Sequence, residues 1–265
     1  MAVGAHYNKT RAFSYLSKVS DEKKIQTQEI LKVTKFLKNN TSFLDIGAGA
    51  GDIFFDVAKN FDESAAVEPG KRMLEILREK AKRKKKNIEI FAKGWNEFYK
   101  KYQKKFKNHF DLIICMHTIY FFDDNVKEIK RMLELLNENG RLVIIQGYVS
   151  NPKRDFISKF RHDFTGTSFF NNERYGLVKR HFKKNRKTKF INTIFVLQNF
   201  KDLEKDHLSK KSAPTNYFLK FAIKKWFDEL MPEQKIKLLD YLEPLKKGNK
   251  YIIKNKQIVH VFRKN

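Results

Sequence analysis

The stretch FLDIGAGAGD, residues 43–52, places three glycines, Gly47, Gly49 and Gly51, directly behind a short apolar run. A helical pattern follows, so the stretch predicts a strand, a glycine-rich turn and a helix. Such a turn presents free backbone N–H groups at the helix start and lets a ligand approach the main chain. Glu68 follows 21 residues after Gly47, at the end of the next apolar run, where a carboxylate can accept both ribose hydroxyls. The pair predicts a nucleotide-like ligand, for which a glycine pattern alone would be weak support.

Apolar runs alternate with helical patterns on both sides of this turn. FDLIICMH at 110–117 is continuously apolar, which is typical of a strand covered on both faces. The alternation predicts an α/β fold, a doubly wound, mostly parallel Rossmann-like sheet with helices packed on it. Seven strands are expected, near residues 43–47, 64–68, 87–94, 110–117, 141–148, 189–197 and 256–262.

The change of rhythm after residue 150 divides the chain into three expected parts. Residues 1–40 should form an N-terminal helical cap, and residues 41–150 a cofactor-binding core. Residues 151–265 should form a helical substrate lobe together with the closing strands of the sheet. Phenylalanines recur every four residues at the start of this lobe, which predicts an aromatic helix stripe that serves as lobe core: Phe156, Phe160 and Phe164.

The charge of the chain is strongly basic. The 265 residues include 56 lysines and arginines against 30 acidic residues, a net charge of +26. Such a field attracts polyanions, so nucleic acid is a possible partner through diffuse positive charge. The basic residues are nevertheless spread along helical patterns and accompany a composition rich in lysine, asparagine, isoleucine and phenylalanine. We therefore expect mainly solvated helix faces rather than a specific nucleic-acid site.

The remaining composition excludes several classes of site. Cys115 is the single cysteine, so neither a disulfide within the chain nor a cysteine metal cluster can form. The histidines and acids show no metal-ligand spacing, so no metal is expected. The sequence has no run of 18 apolar residues and no apolar signal-peptide core near Met1. A cytoplasmic protein without a membrane span is the expectation.

Four motifs appear in order within residues 40–148: FLDIGAGAGD, AVEPG, FDLIICMHTIYFFDD and GRLVII. Together they resemble class I S-adenosylmethionine-dependent methyltransferases. The resemblance implies S-adenosylmethionine as the cofactor, with Asp45 and Glu68 holding its methionine and ribose parts. It also implies cofactor contacts from the three glycines and from the ends of the second, third and fourth strands: Pro69, Gly94, Trp95, Asn96, Cys115, Met116 and His117. Another nucleotide on a similar sheet is the alternative.

The acceptor of the methyl group should lie at the end of the fourth strand, where an open α/β sheet places its reactants. Residues 116–124 read MHTIYFFDD there. They lack the Asn/Asp-Pro-Pro-aromatic tetrad that is common in amino-group methylases of nucleic acids. The single cysteine also excludes a paired-cysteine cytosine methylase of RNA. The two most recognisable nucleic-acid chemistries are therefore absent from the sequence.

A longer but weaker resemblance is to histamine N-methyltransferase and related small-amine enzymes, through AFSYLSKVSDEKK at 12–24, MHTIYF at 116–121 and GNKYIIKNKQIVHVF at 248–262. It implies that Asp21 or Glu22 holds an amine and that His117 hydrogen-bonds or deprotonates it. It further implies packing and pocket contacts from Tyr120, Phe121 and Asn255. His117 stands where that family carries an amide side chain, so a different acceptor is expected.

The sequence thus favours methyl transfer from S-adenosylmethionine to a small molecule, with an amine nitrogen as the favoured acceptor and His117 and Tyr120 as the catalytic candidates. Two other functions stay open. One is an RNA or other macromolecule methyltransferase that uses the basic surface, supported by the net charge of +26. The other is a catalytically silent cofactor-binding module, against which the complete glycine turn and Glu68 argue.

Overall fold

The computed structural model describes residues 20–38, 41–84, 87–147, 156–166, 188–204, 214–248 and 250–264. Its helices are α1 (Glu22–Thr34), α2 (Asp52–Ala58), α3 (Lys71–Lys82), α4 (Trp95–Tyr102), α5 (Asn125–Leu135), α6 (Phe156–Thr165), α7 (Pro214–Ile223) and α8 (Pro232–Leu242). Its strands are β1 (Ser42–Ile46), β2 (Glu63–Val67), β3 (Asn87–Phe91), β4 (Phe110–Met116), β5 (Leu136–Gly147), β6 (Thr188–Glu204), β7 (Lys246–Lys247) and β8 (Lys250–Lys264).

One sheet runs through the molecule in the order β3-β2-β1-β4-β5-β8-β6, and the short β7 pairs with β8 beside this path. Strands β1 to β5 pair in parallel, whereas β8 is antiparallel to both β5 and β6. The chain order reverses between β1 and β4, which are neighbours in register Ile46 to Cys115. Ligands of open α/β sheets bind at this reversal, beyond the carboxyl ends of the strands. The predicted Rossmann-like, mostly parallel fold is confirmed.

Alternate residues of the central strands bury themselves in two cores, one on each face of the sheet. On one face Phe43 and Ile114 pack with helices α1, α2 and α3 through residues such as Phe54. On the other face Leu44 and Cys115 pack with helices α4 and α5. The period of two along each strand sends neighbouring side chains to opposite cores. Both faces of the sheet are thus covered, as the continuous apolar run of β4 predicted.

A third buried cluster joins helices α6, α7 and α8 to the start of β8. The aromatic stripe predicted for α6 lies inside it, with Phe160 fully buried and Phe156 nearly so. The aromatic stripe predicted for this helix is therefore present and buried. The boundaries expected at residues 40 and 150 lie outside the described residues. The division into cap, core and lobe stays a prediction.

The structure differs from the expectation in the lengths of β6 and β8, in an added strand and in the end of α5. β6 and β8 are longer than the apolar runs that predicted them, since they pair with each other over most of their lengths. Within the described residues, the two-residue β7 adds an eighth strand, because a turn at Gly248 with positive φ folds it back onto β8. The helical pattern of NVKEIKRMLELLNENG, residues 125–140, predicts a helix that stops at Asn139. α5 instead ends at Leu135, because Leu136 is extended and pairs with Phe110.

Candidate active site

The glycine turn closes the carboxyl end of β1 and fixes its backbone against β2. The Gly47 and Ala48 N–H groups both donate to Val67 O, at 2.8 and 3.2 Å. The turn then enters α2 through Gly51, a left-handed residue at the helix start. Positive φ angles of 80°, 57° and 78° at the three glycines explain why side chains are excluded there. The strand, turn and helix expected from FLDIGAGAGD are present.

The first acidic side chain at the turn, Asp45, is completely buried at the end of β1. Neither of its carboxylate oxygens has a hydrogen-bond partner among the residues that the structure describes. Burial and the neighbouring charge of Glu68 raise the pKa of Asp45 well above its usual range. A buried acid without a partner is costly, so its presence beside an open turn fits a ligand that brings a cationic or donor group. The ammonium group of S-adenosylmethionine has that chemistry.

The second acidic side chain, Glu68, follows β2 and reaches across to the glycine turn. Its two carboxylate oxygens accept hydrogen bonds from Gly49 N, at 2.8 Å, and from Gly70 N, at 2.7 Å. Burial raises the pKa of Glu68, an effect that the two backbone donors oppose without cancelling it. A Cβ added at Gly49 would meet no atom within 4 Å, so space for a ligand opens directly above the turn. The residues present therefore fit the ribose and methionine parts of the cofactor.

The raised pKa of Asp45 predicts a pH-dependent stability of the cofactor-free protein. The folded state holds a proton above the ordinary value of 3.8 that the unfolded chain has released, so the free energy of unfolding should fall as pH rises through this range. Asp45→Asn, which carries no proton to release, should flatten that fall. The check is urea unfolding at several pH values, with the exposed Asp56→Asn as the control. An equally steep fall in the Asp45→Asn protein would contradict the assignment.

Loss of Glu68 should weaken cofactor binding. Glu68→Ala removes an acceptor for the ribose hydroxyls and also releases Gly49 N, so we expect a loss of about 1–3 kcal/mol in binding free energy. Isothermal titration calorimetry with S-adenosylmethionine or its demethylated product measures it. The matched control is Glu75→Ala on the exposed side of α3. Equal affinity in the Glu68→Ala and wild-type proteins would exclude Glu68 as a cofactor ligand.

The other residues expected at the cofactor fall into two groups, those outside the buried core and those whose side chains lie in it. Gly94 directly precedes α4, and a Cβ added to it would meet no atom within 4 Å. Asn96 is exposed, and its side-chain oxygen accepts a hydrogen bond from Arg131 at 3.0 Å. Pro69 is exposed and Met116 half-buried. The side chains of Trp95 and Cys115 lie in the buried core instead, Trp95 donating to Glu128 Oε2 at 2.6 Å. Both can therefore meet a cofactor only through their main chain, and the cofactor role of all six stays a prediction.

The residues after β4 bring the predicted catalytic side chains together. His117 has a φ of 49°, and its N–H donates to Ile145 O at 2.8 Å, so the backbone turns sharply at the sheet edge. The imidazole Nε2 lies 3.0 Å from Glu22 Oε1, and Nδ1 lies 3.2 Å from Tyr120 Oη. Tyr120 Oη in turn accepts from Gly147 N. Three residues predicted separately, Glu22, His117 and Tyr120, thus form one contiguous chain.

The Glu22 carboxylate is ionised in this arrangement. Burial would raise its pKa, but hydrogen bonds from His117 and Gln257, together with electrostatic interactions with His117 and Lys23, outweigh burial and lower it. About a third of the side chain is exposed, 30%, against 36% for His117. An anion and a histidine that solvent and small solutes can reach therefore sit at the end of β4.

Three residues at this site were not predicted from the sequence. Gln26 of α1 and Gln257 of β8 are buried, and both contact the His117 Nε2 atom. Thr118 lies against the first glycine, since a Cβ added at Gly47 would come within 2.0 Å of Thr118 Oγ1. Thr118 was visible in MHTIYF, but the two glutamines carried no signal, because they lie 231 residues apart.

The remaining residues predicted to bind the substrate are Asp21, Phe121 and Asn255. Asp21 precedes α1, and its carbonyl accepts from Ile25 N at 3.1 Å. Phe121 is 41% exposed beside Tyr120 in a short 3₁₀ turn. Asn255 lies in β8, opposite Gln198, and its side chain is outside the described residues. Gln257, two residues further along the same strand, reaches His117 instead.

The residues that the structure describes contain neither a membrane-spanning helix nor a cluster of metal ligands. Within those ranges, the helices are all too short or too polar to span a bilayer. The same ranges hold no group of three or more histidine, cysteine or acidic side chains placed to bind a metal ion.

Comparison with known proteins identifies the core. Residues 37–181 match the family model described as a methyltransferase domain, which is more than half of the chain. An uncharacterized methyltransferase of Bacillus subtilis, YcgJ, is 28% identical over 118 residues, and this alignment spans 44% of either protein. The crystal structure of YcgJ superposes with a TM-score of 0.55 at 15% identity, over 91% of this chain and 98% of that one. A structure from Bacillus halodurans, designated a methyltransferase, gives 0.55 at 12% identity, over 89% and 97%.

Proposed function

The chain belongs to the methyltransferase domain family, and we propose that it transfers a methyl group from S-adenosylmethionine to an amine nitrogen of a small molecule. The domain is that of an S-adenosylmethionine-dependent methyltransferase; the acceptor, and the activity of the whole protein, are the proposal. The chain aligns with less than half the length of its curated relative. The observation that carries the proposal is the contact between Glu22 and His117 at the carboxyl end of β4.

The charge of the reactants explains why this contact matters. When bound, the cofactor supplies a methyl group activated on a positive sulfonium. An amine that arrives as a second cation is repelled: two unit charges 4 Å apart interact by about 4 kcal/mol at an effective dielectric constant of about 20. The ionised Glu22 offsets this repulsion while the amine binds. His117 then accepts the ammonium proton and so exposes the nitrogen lone pair that attacks the methyl carbon.

The aromatic side chains beside His117 suit the same acceptor. Tyr120 and Phe121 lie in the short 3₁₀ turn after β4, and a cation is attracted to the face of an aromatic ring before it is deprotonated. The site adjoins the glycine turn through Thr118, so acceptor and cofactor would meet where β1 and β4 end. The geometry therefore supports a small amine that enters beside α1.

An acceptor panel tests the proposal directly. The purified full chain is incubated with S-adenosylmethionine and, separately, with biogenic amines, amino acids and short RNAs, and release of the demethylated cofactor is measured. We expect at least one amine to be methylated, with a rate that rises with pH as the amine and base become neutral. Methyl transfer to RNA alone, with every amine inert, would contradict the proposal.

A second candidate, RNA methylation, is favoured by the net charge of +26. A groove of about 600 Å³ between α4 and α5 is lined partly by Lys100, Lys127, Lys130 and Arg131, but also by Asp124 and Glu134. Since none of the residues that line it belongs to the site at the end of β4, we expect non-specific binding only. RNA affinity should then fall steeply between about 50 and about 200 mM salt. Tight, sequence-selective binding at the higher salt would favour RNA as the substrate.

A further inference from the structure

The atoms around the His117 ring define where its proton lies. Three groups surround Nε2: Glu22 Oε1 at 3.0 Å, Gln26 Nε2 at 2.9 Å and Gln257 Nε2 at 3.4 Å. Two of these are amide nitrogens and one is a carboxylate oxygen. A neutral imidazole carries a proton on only one of its nitrogens, so the neighbours of Nε2 decide between the two tautomers.

Three of the four side-chain amide hydrogens of Gln26 and Gln257 are donated to oxygens. Gln26 Nε2 donates to Glu22 Oε1 at 3.2 Å and to Gln257 Oε1 at 2.8 Å, which accounts for both of its hydrogens. Gln257 Nε2 donates to the same Glu22 oxygen. An ionised carboxylate only accepts, so the close contact between Glu22 Oε1 and the ring requires a proton on Nε2. The lone pair of the neutral ring is then on Nδ1.

The other side of the ring agrees with this assignment. Tyr120 Oη accepts from Gly147 N and lies 3.2 Å from His117 Nδ1, where its hydroxyl can donate to the ring nitrogen. A hydroxyl donating to Nδ1 matches a lone pair there. The charged or titratable side chains described against the ring are therefore Glu22 from α1 and Tyr120 from the loop after β4. β5 and β8 contribute the uncharged Gly147 and Gln257.

We infer that Glu22, Gln26 and Gln257 are positioning residues that hold His117 with its proton on Nε2 and its lone pair on Nδ1, so that Nδ1 is the atom that accepts the substrate proton. This inference rests on the proposed function for its catalytic part, but the tautomer itself does not. It gives Glu22 a different role from the one implied by resemblance: the carboxylate binds the histidine rather than the amine. In the balanced step, the Tyr120 hydroxyl turns away from Nδ1, an ammonium N–H bond breaks, a bond from that hydrogen to Nδ1 forms, and the resulting imidazolium is paired with Glu22.

Nuclear magnetic resonance of the full chain labelled with ¹⁵N-histidine tests the tautomer without any substrate. Above the titration of the ring, we expect His117 Nε2 to show the shift of a protonated nitrogen and Nδ1 that of an unprotonated one. Glu22→Gln, whose amide can donate or accept, should produce a mixture of tautomers. Glu29→Gln, on the same helix but paired with Lys32, is the matched control and should leave the spectrum unchanged.

The kinetic readout separates positioning from a structural role. Glu22→Gln should lower kcat by about tenfold or more, because the wrong tautomer blocks proton transfer, with unchanged cofactor affinity. Glu22→Asp, which keeps the acceptor charge, should recover part of both the tautomer preference and kcat. Wild-type His117 protonated on Nδ1, or a Glu22→Gln protein with the wild-type tautomer, would overturn the inference. Failure of the amine panel alone would overturn the proposed function and leave the tautomer result standing.

Discussion

Gly47→Ala should lower the free energy of unfolding by about 3–5 kcal/mol and abolish measurable binding of S-adenosylmethionine. The new Cβ would lie 2.0 Å from Thr118 Oγ1 and 2.9 Å from two further Thr118 carbons. Neither Gly47 nor Thr118 can move easily, because the Gly47 N–H donates a hydrogen bond to Val67 O and Thr118 Oγ1 donates one to Met116 O at 2.9 Å. The φ of 80° adds backbone strain for any residue other than glycine. Urea unfolding and titration calorimetry measure the two effects.

Gly49→Ala is the matched control for this prediction. Its φ of 57° also favours glycine, but an added Cβ there meets no atom within 4 Å. The protein should therefore lose only about 1–2 kcal/mol of stability, while the methyl group intrudes on the space above the turn and weakens cofactor binding. Combining Gly47→Ala with Thr118→Ala, which removes the nearest atom, should restore part of the stability. Equal losses from the two glycine substitutions would show that the Thr118 contact is unimportant.

The fold was predictable where its determinants are local. The apolar run of β4, the glycine turn and the alternating helices are each encoded within about 15 residues, and the structure contains all three. The lengths of β6 and β8 were not predictable, because their ends are set by pairing with each other, which no local pattern in either strand encodes. The end of α5 was missed for a related reason: the pairing of Leu136 with Phe110 overrides the continuing helical pattern.

The residues of the site were likewise predictable only where a local sequence pattern pointed to them. His117 and Tyr120 could be found because they follow a recognisable strand, and Glu22 because it lies in a segment that resembles an amine-binding cap. Gln26 and Gln257 could not be found, since a polar residue on a helix or strand is ordinarily solvated. Only the folded chain brings α1 to the middle of β8, where both glutamines are buried and lie 2.8 Å apart. Residues that position a catalytic group are therefore harder to predict than the group itself.

His117→Ala should lower the turnover of the methylated amine by about 10²-fold or more and leave cofactor affinity nearly unchanged. In the proposed mechanism the imidazole accepts the proton at the end of β4, and without it the amine would stay a cation that the sulfonium repels. The rise of the rate with pH should also change, because free amine must then come from solution. Steady-state kinetics over a range of pH, with calorimetry for cofactor affinity, measure both quantities.

Two further variants distinguish lost chemistry from a disturbed backbone. His117 has a φ of 49°, a conformation that asparagine tolerates better than alanine, so His117→Asn keeps the turn while it removes the base. We expect it to be as inactive as His117→Ala. His109→Ala removes a histidine paired with Glu63 at 2.6 Å, away from the site, and should retain wild-type turnover. A fully active His117→Asn protein would exclude His117 as the base, because the turn, the cofactor site and Glu22 would all be intact.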